Sequence, residues 1–182
     1  MRKIQVLMAF VMVAMFCFAS TAGAQAMIPQ AQPGWFYSDA DDYEFLVTNR
    51  IIQMENKDEF VKDVPRSGRE KFIAVFVSTT HSEAGLKKAK ETLKRGGFND
   101  AVLERYDSTM VGMLLRVDPG KPEDLSYTVM SHQCLDTVGG VLYDWRGEDP
   151  RKASWTKAAD SGQPQMFEKL WQKIRATRPD LG

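Results

Sequence analysis

The chain has 182 residues with 24 Lys and Arg balanced by 24 Asp and Glu, but its first 26 residues hold 19 apolar side chains, two basic ones and no acid. Setting those 26 aside leaves 156 residues with 22 basic and 24 acidic side chains, a slightly acidic chain of ordinary apolar content. A chain of that size closes around one core, burying roughly 70% of its unfolded surface, and these figures exclude a multi-span membrane protein, a basic nucleic-acid binder, a disulfide scaffold and a disordered tail.

The opening residues read as a secretory signal. Arg2 and Lys3 form a positive start, Ile4 to Ala19 an apolar stretch, and Ala22-Gly23-Ala24 or Ala24-Gln25-Ala26 a small-x-small cleavage site. As a helix the apolar stretch reaches only about 24 Å, short of the ~30 Å hydrocarbon core, so cleavage near Ala24 or Ala26 fits better than an anchor. No membrane span is expected after cleavage, and the expected location is secreted or periplasmic. Ala14-Met15-Phe16 before Cys17 lacks the small residue that lipidation needs. Cys134 is then the one remaining thiol, so the fold has no internal disulfide.

Residues 27–66 read as a lead-in and flanking segment, 67–148 as an α/β core, and 149–182 as a loop followed by a helix. Asp39, Asp41 and Asp42 precede Tyr43, Leu46, Val47, Ile51 and Met54, whose spacing suits an amphipathic helix over about 39–55. The β-branched residues in Val47-Thr48 and Ile51-Ile52 keep a strand open there. Phe72 to Val77 is an unbroken apolar run and predicts a buried strand over 71–78. Thr80-His81-Ser82-Glu83 fits a capping box opening a helix over 82–96. Gly96-Gly97 would close it, with Phe98 folding back on Leu93.

Strands are expected at 100–106 and 109–117, joined by a turn at Asp107-Ser108. Pro122, Glu123 and Asp124 suit the first turn of a helix over 122–138 that ends at Gly139-Gly140. A half-exposed strand follows over 141–146. The predicted class is α+β, with the ferredoxin-like βαββαβ order. Met166, Phe167, Leu170, Trp171 and Ile174 form one stripe of a final helix over 164–177, expected to cover the sheet's second face together with the 38–54 segment. Trp35, Phe36, Tyr37, Trp145, Trp155 and Trp171 either fasten the two flanks to the core or line a shallow surface.

In the βαββαβ order the loops leaving the first and third strands lie side by side. That would group Ser78, Thr79, Thr80, His81 and Ser82 with Asp118, Gly120 and Lys121, near two helix N-termini. The catalytic candidates are His81 as base, Ser78 or Ser82 as nucleophile and Asp118 as orienting acid. Thr79, Thr80, Gly120 and Lys121 would bind the ligand. The plainer reading is that these polar residues cap helices and turn the chain. His132 and Cys134 would diverge by about 200° on a helix, so no metal site is expected, and no cofactor motif is present.

With no established catalytic pattern, the chain reads as an exported, non-catalytic module that binds a protein or another envelope component. An exported hydrolase or transferase using loops 78–82 and 118–121, and an assembly subunit, are the alternatives. The βαββαβ order and the passage from Leu93 through Gly96-Gly97 to Phe98 resemble the SPOR family over about half of the exported chain, without the glutamine-glycine pair of that family's first strand. The resemblance implies peptidoglycan as the ligand.

Overall fold

A computed structural model describes residues 35–38, 44–66 and 68–181. The signal sequence, the acidic run 39–42 and Ser67 lie outside the described residues. The elements are β1 (Trp35–Ser38), β2 (Glu44–Met54), β3 (Lys71–His81), α1 (Glu83–Arg95), α2 (Asp100–Arg105), β4 (Tyr106–Asp118), β5 (Lys121–Asp136), β6 (Val141–Arg146), β7 (Thr156–Lys157) and α3 (Pro164–Thr177). The class is α+β. Strands β1 to β6 follow one another across one antiparallel sheet in chain order, and β7 adds to the outer edge of β5.

This order is not the ferredoxin-like one. The 122–138 segment, expected as a helix, is a strand, and the 100–106 segment, expected as a strand, is the short helix α2. β3 and β4 are neighbours but antiparallel, in an unbroken register from Lys71↔Val117 to Thr79↔Thr109. The helical connection 83–105 therefore turns the chain around at one end of the sheet instead of carrying it across. The topological ground for the SPOR resemblance goes with it.

The misreading of β5 has a local cause. Its register against β4 slips between Gly112 and Met113, which inserts Met130 as a bulge. Leu125, Tyr127 and Val129 share a face with His132 and Cys134, so the two-residue period is broken midway. Tyr127, Met130, Cys134 and Val138 then mimic helical spacing. Pro122 sits at the exposed start of the strand, where a missing N–H costs little. In α2, the Asn99 side chain accepts the Val102 amide at 2.9 Å, a capping signal that outweighs the weak alternation.

Other expectations hold. The 44–54 segment takes the strand alternative and pairs with β3. α1 spans the expected residues, although its cap is Ser82, whose hydroxyl accepts from the Gly85 amide at 3.2 Å, rather than the Thr80–Glu83 box. Gly97 at φ +90° closes it, with Phe98 N donating to Leu93 O and Gly97 N to Lys94 O.

The two faces of the sheet are covered differently. On one, Ile73, Val75, Val77, Met113 and Leu115 lie under the α3 stripe, and Leu170 and Ile174 are fully buried. Toward the other end of that same face, α1 and α2 seat Leu93 and Leu103 on Tyr106 and Cys134. All three helices therefore share one face. α3 was expected on the face opposite α1, but the 44–54 segment lies within the sheet and leaves the second face to irregular chain. There Val61 and Val64, from the coil after β2, and Trp155 pack on Phe72, Ala74 and Leu114. Trp155 and Trp171 both fasten flanking chain to the core.

Candidate functional site

The antiparallel register separates the two loops that the sequence suggests as a cleft. Thr79 pairs with Thr109, while Asp118, Gly120 and Lys121 form the turn at the far end of β4. Nine residues of strand, about 30 Å, lie between those ends. Asp118 Oδ1 accepts from the Gly120 amide at 2.9 Å, a turn-closing bond.

At the near end the serines do not form a nucleophile–base pair with His81. Ser78 lies three residues before His81 on β3 and so points to the opposite face, and the Ser82 hydroxyl caps α1. Thr79 is 1% exposed, whereas Thr80 faces solvent. His81 Nε2 and Tyr106 Oη are 2.9 Å apart, and Tyr106 Oη and the Thr109 hydroxyl 2.8 Å apart. Burial lowers the His81 pKa to about 4, against an opposing pull from Asp107. This chain of polar side chains is set into the helical face.

His132 and Cys134 sit on a strand, not a helix, so the two-residue spacing puts both on the same buried face. Burial pushes His132 down to about 4 and the Cys134 thiol up to about 12, away from thiolate chemistry. Among the described residues no three His, Cys, Asp or Glu side chains gather as metal ligands.

The concave feature is on the other face. A trough of about 520 Å³ runs between β2–β3 and the outer part of β5, with Ile52 and Met54 on one side, Met130 on the other, and Ala74 and Phe76 as its floor. Phe60, 54% exposed, stands on one lip, and residues 146–151 form the other.

Two glycines shape it. A Cβ on Gly112 would meet the Ser131 hydroxyl at 2.5 Å and the Phe76 ring at 3.2 Å, so only glycine lets these two close over β4. A Cβ on Gly147 would collide with the Val129 carbonyl, and the Gly147 amide donates to Met130 O at 2.7 Å. That contact fixes the 146–151 lip beside the bulge.

The charges at the mouth are paired within the lips and, through Arg151 and Asp63, between them. Arg151 bonds both carboxylate oxygens of Asp149 and reaches Asp63 at 3.6 Å, which holds Asp149 down at about 2. Arg146 pairs with Asp144 at 3.1 Å, and Lys62 with Glu59 at 2.8 Å. The Lys62 contact lowers Glu59. The trough thus offers apolar side chains ringed by settled charges.

The sequence reading missed this site. One signal for it was present: Gly112, alone in the apolar run from Met110 to Val117, marks close approach or a bulge. Phe60, in a charged stretch, gave none. No helix among the described residues is long and apolar enough to cross a membrane. Compared with known proteins, the chain matches no family model, no curated protein and no solved structure.

Proposed function

We propose that this chain is an exported, non-catalytic module that binds another protein or envelope component through the trough on its coil-covered face. The observation that carries the reading is the apolar lining itself. Ile52, Met54, Phe60, Phe76 and Met130 line a half-open concavity whose wall is set by a bulge and two constrained glycines. Apolar concavities with a polar rim are where proteins bind ligands, and coil placed on a rigid sheet is the usual carrier of such sites. A hydrolase or transferase using His81, Ser78, Ser82 and Asp118 draws no support from this geometry, because the four are not gathered.

The test is site-specific photo-crosslinking in the native compartment. A photoreactive residue at Phe60 is expected to yield discrete adducts, and one at Glu91, on the exposed side of α1, is not. Equal labelling from both positions, or none from Phe60, would remove the trough from the account.

A further inference from the structure

We infer that the occupant of this trough is an apolar stretch of polypeptide flanked by lysine or arginine, an inference that rests on the trough being the binding surface. Two properties of the site select that class. The first is adaptability. Met54 and Met130 both line the trough beside Phe76 and Ala74, and unbranched thioethers reshape around side chains of different outline.

The second property is charge. Among the side chains that line the trough, three are acids, Glu59, Glu148 and Asp149, and two are bases, Arg146 and Arg151. Both of these bases are already bonded to acids, Arg146 to Asp144, and Arg151 to Asp149 and Asp63. A fatty-acid carboxylate or a lipid phosphate would have to break one of these pairs to gain a cation. A basic residue beside an apolar segment meets the surplus of acid without such a loss. A second copy placed across a two-fold axis would set one acid-rich mouth against another.

The experiment uses the chain without its first 26 residues and four fluorescent probes. Two are twelve-residue peptides with one shared leucine–phenylalanine block, flanked by lysines in one and by glutamates in the other. The third is a labelled fatty acid, and the fourth is vesicles of phosphatidylglycerol. The lysine-flanked peptide is expected to bind about tenfold tighter than the glutamate-flanked one at low salt, with the gap closing as salt screens it. Glu148→Lys should reduce that preference severalfold, and Met130→Glu should remove binding of both peptides.

Equal affinity for the two peptides overturns the inference. So does fatty-acid or vesicle binding without peptide binding, although if Met130→Glu abolishes it the trough remains the binding surface. A dimer that dissolves on Phe60→Ser overturns it in favour of self-association. If no probe binds in a Met130-dependent way, the trough reading itself fails. Circular dichroism of each variant shows whether the fold is retained.

Discussion

The two faces of this sheet start from similar material and end differently. Along β3 the side chains alternate between them: Ile73, Val75 and Val77 toward the helices, Phe72, Ala74 and Phe76 toward the coil. Helices present regular stripes, and α3 fills the first face so completely that Leu170 and Ile174 lose all exposure. Coil has no such stripe. It contributes Val61, Val64 and Trp155 at a few points and leaves a trough between them. The contrast is between a face closed by helices and one left open enough for the proposed binding surface.

Substitutions sharpen that division, beginning where burial is deepest. Leu170→Ala should cost roughly 2–5 kcal/mol in urea denaturation, because the cavity lies under a whole helix. A loss below about 1 kcal/mol would mean that α3 is only loosely seated.

Acid should act next, again on the helical face. Burial lowers His132 and His81 to about 4, so the folded chain refuses protons that the unfolded chain binds below about 6.5. Stability is then full above pH 6.5 and declines as the pH falls toward 4, by on the order of 3 kcal/mol for His132 alone. Urea midpoints measured across that window test this, and His132→Gln should flatten the decline.

Effects at the trough floor and at the helix ends are smaller. Gly112→Ala should cost about 1–3 kcal/mol, since its methyl group meets the Ser131 hydroxyl and the Phe76 ring. Ser82→Ala removes the α1 cap and should cost about 1 kcal/mol in the same measurement. Phe60→Ser, at a residue already more than half exposed, should leave stability within about 0.5 kcal/mol while removing the Phe60 lip of the proposed binding surface.

What the sequence disclosed follows the same division. The α3 stripe, the α1 ending at Gly97 and the β3 run were legible because each is a local pattern that its neighbours do not disturb. β5 was not, because one bulged residue, Met130, shifts the alternation by one place and imitates a helix. The error spread: with 122–138 read as a helix, β3 and β4 became parallel and His81 seemed to neighbour Asp118. The trough was hidden for another reason. It joins Met54, Phe76 and Met130 from three strands with a lip at 146–151, and no single window of sequence holds that assembly.

Methionine methyl groups offer the most direct test of the two-faced account. Met54 and Met130 line the trough, while Met113 on the sheet and Met166 on α3 are buried at 5% and 2% exposure in the core between them. With the methyls labelled, a soluble paramagnetic agent should broaden Met54 and Met130 strongly and leave Met113 and Met166 sharp. An apolar peptide that binds should then shield the first pair. Equal broadening of all four, or protection confined to the second pair on peptide addition, would contradict the assignment of binding to the coil-covered face.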